Sequence, residues 1–190
     1  QQLRLEKYLD ERPSVTSVGI AISMYMGLRI GEVCALQWKE IDLEKRVLTV
    51  SKTIQRVQCR TGSKQTKLII TEPKSESSKR TIPIPDCLLP LLRRFKDNGE
   101  VYVVSGRKKP VEPRTMQYRF AKILHNADLP SFHYHSLRHL FATRCVELGF
   151  DVKTLSEILG HSSVEVTLNR YIHSDMERKR TCMSLLSKCA

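Results

Sequence analysis

Residues 135–171 read HSLRHLFATRCVELGFDVKTLSEILGHSSVEVTLNRY, and the punctuation in that run marks off three helices. Gly149 and Gly160 stand where helices end in a left-handed cap, and Asp151 and the Ser162-Ser163-Val164-Glu165 capping box stand where the next ones begin. The spacing predicts helices over 136–148, 151–159 and from 162 to about 170. Three short helices joined by tight turns bury their apolar sides only against other helices, so this part of the chain is a helical layer.

Working outward, Val15, Val18, Ile22 and Met26 recur at helical spacing, and Val33 and Leu36 follow after Gly27 and Gly31, predicting two helices that flank Gly27-Leu28-Arg29. Pro113 suits the first turn of a helix with Met116, Phe120, Ile123 and Leu124 on one face. Asp86 is expected to cap a helix carrying Leu88, Leu89, Leu92 and Phe95, closed by Gly99. Residues 101–104 read as a short extended piece before the basic loop 106–110. Between these helices the character changes. Val47-Leu48-Thr49-Val50, Lys67-Leu68-Ile69-Ile70 and Arg80-Thr81-Ile82-Pro83-Ile84 are β-prone runs, with exposed hairpin loops expected over 58–66 and 72–79. A last amphipathic helix is expected over 175–186, with Met176, Met183 and Leu186 on its apolar side. The fold class is therefore mainly α with one small antiparallel β-sheet, an α+β architecture in a single domain over 1–190.

The composition narrows function before any motif does. With 190 residues, 41% hydrophobic and 27% charged, the chain is long enough for a real core and is neither disordered nor collagen-like. No apolar run approaches the roughly 18 residues of a membrane span, and the first residues lack the apolar stretch of a signal peptide. Lys and Arg number 32 against 20 Asp and Glu, a net charge of +12, which points to a polyanionic partner, nucleic acid first. The six Cys form no CxxC pair, so neither a zinc ribbon nor a disulfide framework is indicated, and reduced thiols in a cytoplasmic protein fit better. Absence of an initiator Met suggests a fragment or a processed chain.

Several residues invite a chemical reading. His135 and Arg138 are three apart at the start of a helix, which puts an imidazole beside a planar cation and suits a phosphate. Taken alone, the same HxxR is more often a plain helix start. His133, His135 and His139 invite a zinc site, but no HExxH glutamate accompanies them and no metal is expected. His161 sits in the tight Leu159-Gly160-His161-Ser162 turn on rigid elements. Tyr171 shares a helical face with Val164 and Leu168, a pattern that in isolation reads as core packing. Lys74 lies in the Ser- and Lys-rich turn, where a mobile ammonium either reaches a phosphate or is simply solvated. Arg29, flanked by apolar residues, needs an anionic partner, and Glu32 is the obvious one.

The order of these residues says more than any of them singly. Arg29 in Gly27-Leu28-Arg29-Ile30-Gly31-Glu32, Lys74 in a β-turn, His135-Ser136-Leu137-Arg138-His139, Leu159-Gly160-His161 before two serines, and Tyr171 ten residues later together resemble the catalytic domain of the tyrosine recombinases, the phage-integrase family. The resemblance spans about residues 14–180. It implies Tyr171 as nucleophile, Arg29 and Arg138 as a phosphate clamp, Lys74 as general acid, His135 as proton acceptor and His161 as a further donor, with Glu32 and His139 in support. It further implies strand cleavage and rejoining on double-stranded DNA through a covalent 3′-phosphotyrosine, without metal, cofactor or ATP, in the integration and excision of a mobile element. Family N-terminal DNA-binding modules are expected to be missing from this chain. A tetrameric synapse on DNA is expected, with the isolated domain monomeric, no membrane, and accessory factors from host or element. Two other readings stand beside it: type IB topoisomerase-like nicking and resealing, and a non-enzymatic helix-turn-helix module over 151–170.

Overall fold

Helix α2 (Val15–Met26) is buried on nearly every side, and the rest of the chain is assembled around it. Its sequence dictates that position: Val18, Ile20, Ile22, Met24 and Met26 are buried, and small Ser17, Gly19, Ala21 and Ser23 between them are buried too, so almost no face is left for water. Ser14 caps it, its Oγ accepting the Ser17 N–H at 3.1 Å. The computed structural model describes residues 1–58, 66–72, 78–97, 99–171, 176, 180 and 183–184, without the side chains of 169–171. The predicted tail helix over 175–186 thus lies largely outside the described residues, and Met176 and Met183 are exposed.

Ahead of α2 runs α1 (Gln2–Glu11), which the sequence reading passed over because only Leu5 and Leu9 are buried in an otherwise charged segment. After α2 come α3 (Ile30–Ala35), β1 (Ile41–Asp42), β2 (Val47–Val50), β3 (Thr53–Gln58), β4 (Thr66–Thr71) and β5 (Arg80–Pro83). Helices α4 (Leu89–Phe95), α5 (Pro113–Asn126), α6 (Ser136–Glu147), α7 (Val152–Leu159) and α8 (Val164–Tyr171) complete the order. Pro113 occupies the first turn of α5, and Asp151 caps α7 by accepting the Thr154 N–H at 2.9 Å, both as the sequence indicates.

The strands form two antiparallel sheets where one was expected. β2 lies between β1 and β5, with Leu48 opposite Ile82, while β3 and β4 form a separate ribbon with Ile54 opposite Ile70. The reason is pairing: β5 returns past the ribbon to pair with β2, a long-range choice that no local pattern encodes. Three smaller expectations also change. Asp86 caps no helix but pairs with Arg46 at 2.9 Å, in a 3-10 turn that leads into α4. Helix α4 ends at Phe95, with Lys96 as its cap, three residues short of Gly99. Residues 101–104 form no strand; Tyr102 makes only single bridges, to Gln37 and Arg107.

One hydrophobic core unites α1 to α5, the β1–β2–β5 sheet and the start of α6, from Leu5 to Leu137. A smaller cluster of Ala142, Cys145, Val146, Leu155 and Leu159 joins α6 to α7. None of the described helices is long and apolar enough to cross a membrane.

Candidate active site

The turn after α2 brings the first site residues into place. Gly27 ends that helix at φ +69°, and a Cβ there would lie 2.5 Å from the Phe141 ring. Arg29 then stands at the N-cap of α3. Gly31 lets α3 lie directly on β3, because a Cβ at that position would meet the Ile54 carbonyl at 2.6 Å. Glu32 follows, only 4% exposed, and its carboxylate is surrounded by donors. The Arg29 backbone N–H reaches it at 2.8 Å and the Arg29 Nη1 at 2.9 Å, while Arg80 binds it with both Nη1 and Nη2 at 3.0 Å. Burial alone would push the Glu32 pKa up. The hydrogen bonds and charge of Arg80, then the charge and backbone N–H of Arg29, outweigh it and hold the carboxyl below its ordinary value of 4.5.

A second convergence lies at the C-terminus of α7. The last four carbonyls of a helix have no intrahelical partner. Here the Ser156 and Glu157 carbonyls accept the backbone N–H groups of His161 and Gly160, with Gly160 left-handed at φ +63°. The next three are taken by three arginines from three different elements. Arg80 Nε donates to the Ile158 carbonyl at 2.6 Å, Arg138 Nη2 to that of Leu159 at 2.6 Å, and Arg29 Nη2 to that of Gly160 at 3.1 Å. The negative end of the helix dipole thus faces three guanidiniums, a favourable arrangement. His161 is the next residue in the chain.

Arg138 is buried at 2% exposure and its Nη1 also donates to the Gly27 carbonyl at 2.7 Å, so it links the end of α2 to the end of α7. His135, at the N-cap of α6, stays exposed and packs edge to face on His139, with ring centroids 4.6 Å apart. The two residues of the HxxR pair therefore differ in environment, one solvated and one buried. Tyr134 beside them is bound to Ser23 at 2.8 Å and to the Gly19 carbonyl at 3.1 Å, and its burial raises its pKa, so it is a structural phenol. Burial also pushes the Cys145 thiol on α6 up to about 11, leaving it protonated and inert.

His161 Nδ1 meets Thr167 Oγ1 at 2.7 Å, which ties the turn to α8. Val164 and Leu168 are 39% and 40% exposed, so the apolar face predicted for α8 is not a core stripe, and among the described residues of that helix the buried one is Thr167. Tyr171 is the last residue of α8; its side chain, and all of Lys74, lie outside the described residues. A cleft of about 320 Å³ opens beside His161, lined by Lys79, Lys153, Ser162 and Ser163 among others.

Of the residues singled out in the sequence, the structure brings Arg29, Glu32, Arg138 and His161 together around one helix end. Sequence reasoning missed Arg80, and a signal for it existed. Arg80, Ile82 and Ile84 alternate on one face, and both isoleucines are buried, so the register of the strand already turns Arg80 inward.

Comparison with known proteins identifies the family and the fold. Residues 4–178 match the phage integrase family. A tyrosine recombinase XerC-like protein of Caldanaerobacter subterraneus is 33% identical over 180 residues, covering 85% of this chain and 46% of its own. The ICEBs1 integrase of Bacillus subtilis is 28% identical over 165 residues, covering 80% of this chain and 43% of that protein. The Tn1549 transposon integrase, solved in complex with transposon right end DNA, superposes with a TM-score of 0.77 at 27% identity, over 98% of this chain and 64% of that one. The chain thus spans about half the length of the curated relatives it matches. With the match running from α1 past Tyr171, the chain belongs to the phage integrase family.

Proposed function

We propose that this chain is the catalytic domain of a site-specific DNA recombinase that cleaves and rejoins strands through a 3′-phosphotyrosine, in the integration and excision of a mobile element. One observation carries the reading: Arg29, Arg138 and His161 are fixed around the C-terminus of α7. Such a group of cationic donors suits a phosphate whose non-bridging oxygens gain charge during attack. Glu32 and the α7 carbonyls orient the guanidiniums beforehand, which lowers the reorganisation needed at the moment of reaction.

In this reading the Tyr171 oxygen attacks the scissile phosphorus and loses its proton to His135. The bond from phosphorus to the 5′ oxygen breaks, and Lys74 supplies the proton to that leaving oxygen. The DNA 3′ phosphate stays on the protein until a second 5′ hydroxyl reverses the step, so the covalent link conserves the bond energy and no ATP is consumed. Buried, protonated Cys34 and Cys145, with thiols raised by burial to about 12 and about 11, offer no competing nucleophile. Double-stranded DNA is the partner and a tetrameric synapse the working assembly, with residues 177–190 docking on a neighbouring protomer. Deleting those residues is expected to abolish synapsis; unchanged synapsis removes that part of the proposal.

The test is covalent capture in EDTA from a pool of centrally nicked duplexes with randomised flanks. An SDS-resistant protein-DNA band is expected, and Tyr171→Phe is expected to remove it entirely. A band that persists in Tyr171→Phe overturns the nucleophile. Sequence-specific retention without any band favours a binding module instead.

A further inference from the structure

We propose that Arg80 is a positioning residue for the reaction: it neutralises the inner side of Glu32 so that the Arg29 charge stays available and oriented for the phosphate, and it holds the α7 end that carries His161. The inference rests on the reading of Arg29 as a phosphate contact. Arg80 has a side chain only 6% exposed, whereas that of Arg29 is 37% exposed. A buried guanidinium is retained only where its donors are satisfied, and those of Arg80 go to three places at once. Nη1 and Nη2 grip Glu32, Nε donates to the Ile158 carbonyl at 2.6 Å, and Nη1 also reaches the Ser78 carbonyl at 3.1 Å, just ahead of β5.

Charge decides which of its jobs matters for chemistry. Among the described residues Glu32 has two cationic neighbours, and Arg80 binds it with both Nη groups while Arg29 uses only Nη1. Without Arg80, both carboxylate oxygens turn to Arg29, because an unpaired buried carboxylate is costly and, among the described residues, Arg29 is the other cation paired with it. That closer pair draws the Arg29 guanidinium inward and cancels the charge a phosphate would meet. Removing the Glu32 charge as well therefore restores part of what Arg80 supplied, whereas a purely structural arginine would show no such compensation.

The experiment compares the wild-type chain with Arg80→Met, Arg80→Lys and the double variant Arg80→Met with Glu32→Gln, using nicked duplexes selected by covalent capture. Arg80→Met is expected to slow adduct formation about 100-fold, the effect of misplacing a catalytic group by about 1 Å, with DNA affinity changed less than about threefold. The double variant is expected to recover about tenfold of that loss, within the usual range of coupling between residues in contact. Arg80→Lys keeps the charge and the fold but not the fork, and is expected to lose about tenfold; it decides the matter should Arg80→Met not fold.

A second readout does not depend on cleavage. Modification of Arg29 by phenylglyoxal, followed by peptide mass spectrometry, is expected to slow several-fold in Arg80→Met and to return in the double variant, because a tighter pair with Glu32 draws the half-exposed guanidinium inward, away from the reagent. Wild-type rates in Arg80→Met, or in Arg80→Lys where that is the folded variant, overturn the inference. A double variant no faster than Arg80→Met overturns it too, as does Arg29 reactivity that ignores Arg80. If the wild-type chain itself forms no adduct, it is the proposed function that falls, and the phenylglyoxal comparison alone decides the role of Arg80.

Discussion

Glu32 holds a negative charge at 4% exposure because four N–H donors from two arginines reach it, and this single carboxylate controls how the site behaves in acid. Its pKa in the folded chain lies below 4.5, so its contribution to stability is present above that value and is lost as pH falls through the lower, folded value. Acid unfolding of the wild-type chain is therefore expected to steepen below about pH 4.5, and Glu32→Gln is expected to flatten the curve there. At pH 7 the same substitution leaves Arg80 buried without its counter-charge and is expected to cost about 3–5 kcal/mol, read as the shift in urea midpoint times the unchanged slope. Equal acid sensitivity in wild type and Glu32→Gln would show that other carboxylates dominate. Glu32 was legible in the sequence as the partner of Arg29, three residues away on a helix start. Strand alternation hints that Arg80 points inward, but its pairing with Glu32 was not legible, because the two lie 48 positions apart and only the pairing of β5 with β2 brings them together.

At the scale of elements, the turn between α2 and α3 carries two demands that only glycine meets at position 27. An alanine there pays about 1–2 kcal/mol for the left-handed backbone and about 1–3 kcal/mol for crowding Phe141. Gly27→Ala is thus expected to lower stability by about 2–5 kcal/mol in urea unfolding, a sum of those two effects. The loss should reach the site, because the Gly27 carbonyl holds Arg138 at 2.7 Å. A change under about 1 kcal/mol would mean that Phe141 swings aside and the turn relaxes. The helices from α6 to α8 were readable from sequence because caps are local: Asp151 bonds a residue three along, and Gly160 closes its own helix. The division into two sheets was not, since β3 buries only Ile54 and the choice of β5 for β2 over the ribbon spans about thirty residues. Helix α1 escaped notice for the same kind of reason: two buried leucines in a charged stretch are too few to fix a period.

For the molecule as a whole, the net charge of +12 sets two opposite responses to salt. The folded chain concentrates like charges, and screening relieves that repulsion. Most described ion pairs that salt would weaken, such as Arg4 with Asp128 and Lys7 with Glu11, are exposed and worth little each, while the pair of Glu32 with Arg80 is buried and scarcely screened. Relief of repulsion therefore wins, and raising sodium chloride from about 50 to about 300 mM is expected to lift the melting temperature by about 2–4 °C, equivalent to roughly 1 kcal/mol for a chain of this size. On the proposed reading DNA binding moves the other way, since each phosphate neutralised by Lys or Arg releases counterions, and affinity is expected to fall at least about tenfold over the same range. Scanning fluorimetry and fluorescence anisotropy on one set of buffers measure both. A melting temperature that falls with salt would mean that exposed pairs hold the fold together after all, and that the excess of lysine and arginine is spread widely enough over the surface for repulsion to cost the free chain nothing.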